Sequence, residues 1–273
     1  MSFRKSSAST RSGAPALRLT KHMQCEFART RTTTFVLLLC AASGISPQAN
    51  AADLAAYRRS DGDSSVVYRE LDNDIHEIYL CAVNDSECRK GGDYHSWDPS
   101  ALTGAPPAAG DPAAYVRWDD LNSMVYRGSD NHIHELTTPG GSIWQTADLS
   151  ALADAPPAAG DPAAYRRYDV VNSVVYRGLD DHIHELYLAP GGSWQAEDLS
   201  ALADAPPAAG DPAAYIRWDN VNSVVYRGLD NDVHELYLAP DGSGWQTADL
   251  SALTGAPLAS DPNTGIATLR KAH

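Results

Sequence analysis

The sequence predicts an all-β chain, a β-propeller of four-stranded blades with about 50 residues per repeat. Three observations carry this. One block recurs four times with little change, and Tyr126, Tyr176 and Tyr226 fall 50 residues apart. A fixed period of that length signals a solenoid, a propeller or an array. Each repeat holds four short runs rich in Tyr, Val, Ile and Trp, separated by polar turn residues. No segment carries a helical apolar period.

The four runs are clearest in the third copy, at 163–168, 173–177, 183–188 and 194–199. The second and third read as a hairpin across Leu179-Asp-Asp-His182, with Asp180 and Asp181 as a two-residue loop, since Asp tolerates positive φ. That register sets Arg177 opposite His184 and Tyr176 opposite Glu185. Side chains alternate between the faces of a strand, so Arg and His would share one face, and Tyr and Glu the other. The stretch from Ser200 allows one helical turn before Pro206 stops it. The link 205–212 then leads into the next unit. A sheet of this kind has two apolar faces and needs neighbours on both.

The repeats run over about 55–110, 111–160, 161–210 and 211–260, and 261–273 reads as a worn first strand of a further repeat. Four blades and a remainder allow a small ring, an open arc, or a homo-oligomer in which a second chain closes the propeller.

Residues 1–51 read as a signal peptide. Residues 1–31 carry seven Lys or Arg and one acid, Glu26. The apolar run 35–42 and the small-residue end Ala49-Asn50-Ala51 follow. Cleavage near Ala51 predicts a secreted or periplasmic protein with residues 52–273 as the propeller domain. The apolar run is too short to span a bilayer comfortably, so no transmembrane segment is expected. The full chain has 21 basic and 35 acidic residues; without 1–51 it keeps 14 and 34, a net charge of −20. So acidic a surface repels nucleic acid and anionic membranes. Cys81 and Cys88 lie in an insertion found only in the first repeat, and an even pair in an exported chain predicts one disulfide.

The block Val174-Val-Tyr-Arg-Gly-Leu-Asp-Asp-His-Ile-His-Glu-Leu, followed by Gly-Ser-Trp194, resembles the fucose-specific propeller lectins of fungi and bacteria over about residues 55–255. The resemblance implies sugar sites between adjacent blades. It implies that the family's glutamate is Glu77, Glu135, Glu185 or Glu235, and its tryptophan Trp97, Trp144, Trp194 or Trp245. The family's arginine position holds Val66, Met124, Val174 and Val224, so that ligand is missing. A carboxylate accepts sugar hydroxyls, and an indole packs on the apolar face of a sugar ring. The other reading of the same Glu, Tyr and Trp residues is a hydrogen-bonded cluster that fixes the blades in register.

Arg59, Arg117, Arg167 and Arg217, one per first strand, read as salt-bridge partners, and the following Trp118, Tyr168 and Trp218 as core. His132 and His134, like His182 and His184, have a spacing that can hold zinc. An arginine on the same face would repel the cation, so no metal site and no cofactor is expected. The sequence lacks Gly-x-Ser-x-Gly, a phosphate loop and His-Glu-x-x-His, and an enzyme is not expected. The reading is an exported carbohydrate-binding, lectin-like propeller with several near-equivalent sites between blades, whose partners are glycans, fucosylated ones among them. An interaction or adhesion scaffold is the alternative, and a secreted hydrolase or lyase the third.

Overall fold

A computed structural model describes residues 54–82, 92–140 and 143–260. The signal peptide expected at 1–51, Cys88 and the strand expected at 261–273 lie outside the described residues. Blade 1 comprises β1 (Ala55–Arg58), β2 (Ser64–Arg69), β3 (Ile75–Leu80) and β4 (Tyr94–Trp97), followed by α1 (Pro99–Thr103). Blade 2 comprises β5 (Ala113–Val116), β6 (Asn122–Arg127), β7 (Ile133–Thr138) and β8 (Gln145–Asp148), followed by α2 (Leu149–Ala153). Blade 3 comprises β9 (Ala163–Arg166), β10 (Asn172–Arg177), β11 (Ile183–Leu188) and β12 (Gln195–Asp198), followed by α3 (Leu199–Ala203). Blade 4 comprises β13 (Ala213–Ile216), β14 (Asn222–Arg227), β15 (Val233–Leu238) and β16 (Trp245–Asp249), followed by α4 (Leu250–Thr254). Each blade is an antiparallel meander of four strands in sequence order. The first strands lie side by side, β1 by β5, β5 by β9 and β9 by β13. This is the blade architecture of a β-propeller.

The central hairpin departs from the expected register by one residue. Tyr176 faces His184, Arg177 faces Ile183, and Val175 faces Glu185; the other three blades agree. The loop has three residues, not two. Gly178 N–H donates to the His182 carbonyl, and Asp181 N–H to the Gly178 carbonyl. One loop residue per blade takes the left-handed conformation: Asn73, Asn131, Asp181 and Asn231. A three-residue turn ending in that conformation preserves the strand twist as well as a two-residue one does. A one-residue slip exchanges faces. Tyr and His therefore share a face, their rings stacked or slightly tilted with centroids 5.6–5.7 Å apart, and Glu shares the other with Ser and Val.

Each α turn closes its blade by capping. Asp98, Asp148, Asp198 and Asp249 accept from the N–H three residues on. Ser100, Ser150, Ser200 and Ser251 accept at Oγ from the first N–H of the third strand. The core lies between blades. One cluster joins Val67 and Ile75 to Met124, Tyr126 and Leu136. The next joins Val125 and Ile133 to Val174, Tyr176 and Leu186. A third joins Val175 and Ile183 to Val224, Tyr226 and Leu236. Tyr126, Tyr176 and Tyr226 donate their hydroxyls to the carbonyls of Pro106, Pro156 and Pro206.

Burial pushes the Tyr126 and Tyr176 phenols far above their ordinary range, and Tyr226 to about 12. Unfolded, these phenols ionise near pH 10. Their share of the stability is therefore complete below about pH 10 and lost as pH rises further. Ultraviolet titration is expected to show their phenolates appearing together with a cooperative alkaline unfolding. Their ionisation near pH 10 with the fold intact would contradict this packing.

Candidate functional site

The glutamate on the third strand of each blade lies opposite the valine of the second strand, on the face turned to the next blade. Ser65, Ser123, Ser173 and Ser223 donate to Glu77, Glu135, Glu185 and Glu235 at 2.6, 2.6, 2.5 and 2.6 Å. An arginine at the end of the first strand reaches the same carboxylate: Arg59 at 2.9 Å, Arg117 at 3.0 Å, Arg167 at 3.3 Å and Arg217 at 3.5 Å. The turn that follows each arginine supplies Asp61, Asp119, Asp169 or Asp219, paired with it at 2.6–2.9 Å. The carboxylate thus sits in a serine and arginine cradle, and the arginine is shared with a half-exposed aspartate.

The aromatic partner comes from the next repeat. The Arg117 guanidinium lies over the Trp194 ring, and that of Arg167 over Trp245, each 5.8 Å from the centroid. Trp144, like Tyr57 of blade 1, packs against the cluster between blades 1 and 2. The structure thus brings Glu135 toward Trp194 and Glu185 toward Trp245. Trp97 does not occupy the equivalent place. It stands opposite Glu77, whereas Tyr94 faces Leu80 as Trp245 faces Leu238. Trp97 packs on Tyr79 and Cys81 instead, and the Arg59 guanidinium lies over Tyr79 of its own blade at 5.4 Å.

The cradles differ in access. All four glutamates are buried, Glu235 at 5% against 0–2% for the others, so the difference lies mainly at the arginine. Burial pushes the carboxyls of Glu77, Glu135 and Glu185 up, and the arginine beside each pulls back. Burial is the largest influence on Arg59, Arg117 and Arg167 and opposes their charge, but the paired glutamate and aspartate together outweigh it and keep them above their ordinary value. Blade 4 has no following blade among the described residues. The Arg217 side chain is 32% exposed, against 10% for Arg117 and 11% for Arg167. A cavity of about 540 Å³ opens there, lined by Tyr215, Arg217, Glu235, Tyr237, Leu250 and Leu253 among others.

Trp118, Tyr168 and Trp218 are not core. Tyr168 and Trp218 are 46% and 94% exposed, and Trp118 is partly buried. Their backbones explain it: Trp118 and Tyr168 N–H donate to Asn172 and Asn222 of the next blade, at 2.9 and 2.8 Å, from a loop at the blade boundary. The serines and these asparagines went unnoticed in the sequence. Their signal was recurrence: the serine stands in all four copies, and the asparagine in three, with Ser64 in the first.

No protein-family model matches the sequence, and no curated protein matches it. Solved structures do. A lectin from Burkholderia pseudomallei aligns at 15% identity over 71% of this chain and 54% of its own, with a TM-score of 0.52. The chain shares its fold with this lectin. The Aleuria aurantia lectin in complex with Fucalpha1-6GlcNAc aligns at 16% identity over 77% of this chain and 65% of its own, TM-score 0.49. A structure from Arthrobotrys oligospora aligns at 15% identity, over 72% of this chain and 56% of its own, TM-score 0.47. The chain thus spans between about half and two thirds of the length of these structures.

Proposed function

We propose that the protein is an exported glycan-binding propeller, and that sugar is held at Arg217 and Glu235 on the open face of blade 4. One observation carries this reading. An arginine and a carboxylate converge in a cavity walled by Tyr215 and Tyr237, with leucines beside them. Charged donors and acceptors take hydroxyls, and aromatic rings take the apolar face of the sugar. Fucosylated glycans are the first to try, given the ligand of the Aleuria lectin. The three inner copies, Glu77 with Trp144, Glu135 with Trp194 and Glu185 with Trp245, share the same residues in closed form. Their burial favours a second role for them, as fasteners between blades.

A homo-oligomer fits the two open faces. On blade 1, Ile78 and Tyr94 are 38% and 73% exposed, whereas Leu136, Leu186 and Leu236, which match Ile78, are fully buried. Blade 1 of a second copy would bring Tyr94 toward the Glu235 cavity as Trp194 is brought to Arg117. The expectations of export through residues 1–51, of a Cys81–Cys88 bridge and of no enzymatic activity belong to the same proposal.

A glycan array with the processed protein tests it. Binding that free fucose or another monosaccharide competes away is the expected result, at about one site per chain. An array with no signal, or one that no monosaccharide reduces, would leave the scaffold reading.

A further inference from the structure

On the opposite face of the hairpin, histidines and aspartates converge in two blades, and nothing in the glycan reading uses them. In blade 2 the His134 Nε2 lies 3.1 Å from both Asp130 oxygens, and the His132 Nδ1 lies 2.8 Å from Asp148. Blade 3 repeats this with His184 at 3.0 and 3.1 Å from Asp180 and His182 at 2.7 Å from Asp198. One ligand atom from each of Asp130, His134 and Asp148 lies within 4.8 Å of the others, and the same holds for Asp180, His184 and Asp198.

We propose that Asp130, His134 and Asp148, and likewise Asp180, His184 and Asp198, each bind a divalent ion of the zinc type, with His132 and His182 positioning the second aspartate. The chemistry suits such an ion. Imidazole nitrogen and carboxylate oxygen ligate zinc at about 2.0–2.2 Å, which sets tetrahedral ligands about 3.4 Å apart. The side chains need to close by about 1 Å to meet that spacing. Two carboxylates at this distance repel each other, and a divalent cation between them with neutral imidazole cancels the charge. A second residue that grips a ligating carboxylate fixes its orientation, as His132 does for Asp148.

The arginine expected to repel a cation is elsewhere. Arg127 faces Ile133, not His134, and its guanidinium turns to the Ala109 carbonyl and Asp161. The glycines ahead of the turn make the room. A Cβ on Gly128 or Gly178 would sit 2.7 Å from the His134 or His184 ring. The other blades supply controls within the chain. Blade 4 keeps Asp230 and His234 in contact but has Asp232 in place of His132. No such three-residue convergence occurs there among the described residues. Blade 1 has Glu70 in place of the glycine and Asp74 in place of His132, and its group of Glu70, Asp72 and His76 lacks the second histidine.

The test is equilibrium dialysis of the untagged, processed protein against zinc chloride, with the bound metal counted. Asp130→Asn and Asp180→Asn are the variants. Both aspartates are half-exposed, and asparagine keeps the acceptor that the His132 or His182 N–H uses. Two zinc ions per chain are expected for the native protein, one for each single variant, and loss of both in the double variant. Circular dichroism is expected to be the same for all four. No retained zinc in the native protein, or the same count in the double variant, would overturn the proposal. Sugar binding at Glu235 lies on the other face and is read separately on the array, so either idea can fail alone.

Discussion

Replacing Arg117 with alanine is expected to lower the unfolding free energy by about 3–5 kcal/mol, the cost of leaving one partner of a buried ion pair behind. Glu135 is 2% exposed and keeps only Ser123 once the guanidinium is gone. Denaturant unfolding at neutral pH measures the loss. The deficit has a direction in pH. Burial already holds the Glu135 carboxyl above its ordinary value, and removing Arg117 raises it further. An acid whose folded pKa is raised loses stability as pH rises through that value. The gap between variant and native protein should therefore narrow as the pH falls and Glu135 takes up its proton. Arg217→Ala is the comparison. Its guanidinium is one third exposed and 3.5 Å from Glu235, so a loss of about 1 kcal/mol or less is expected, as for exposed pairs. Equal losses in the two variants would mean that blade 4 is as closed as blade 2.

Trp194→Ala is expected to cost about 3–5 kcal/mol, as for large aromatic truncations in a core. The indole is 9% exposed and sits in the cluster that joins blade 2 to blade 3, beneath the Arg117 guanidinium. Losing it leaves a cavity between the two sheets. Trp97→Ala, in a smaller cluster beside Tyr79 and Cys81, should cost less. Thermal melts of the two variants side by side check this. A Trp97 variant as damaged as the Trp194 variant would contradict the register that sets Tyr94 in the tryptophan position.

Much of this fold was legible because repetition averages out local ambiguity. The run expected at 183–188 is β11, and the aspartate-led turns, the single helical turn and the blade length all follow from the residues. The register was not legible. Leu179-Asp-Asp permits a two-residue or a three-residue loop, and only the extended pairing of Gly178 with His182 selects the longer one. That one-residue difference moved Tyr to the side of His and freed the His face of arginine. The placing of Arg117, the partner of Glu135, over the tryptophan of the following repeat was hidden for another reason. A single repeat cannot say which of its faces meets which neighbour. The exposure of Trp218 was hidden too, since aromatic residues after a strand are more often covered.

The claim that three cradles fasten the blades while the fourth binds sugar is tested most directly by pairing Glu185→Gln with Glu235→Gln. Each is titrated with methyl α-fucoside, or with whichever sugar the array selects, and each is melted. Glu235→Gln is expected to abolish the binding and to lower the melting midpoint less than Glu185→Gln does, since its arginine is one third exposed and 3.5 Å away. Glu185→Gln is expected to keep the binding and lose about 1–3 kcal/mol of stability, as for a buried hydrogen bond left unmade. The reverse pattern, a Glu185 variant that loses sugar at an unchanged midpoint while the Glu235 variant binds as before, would contradict the account.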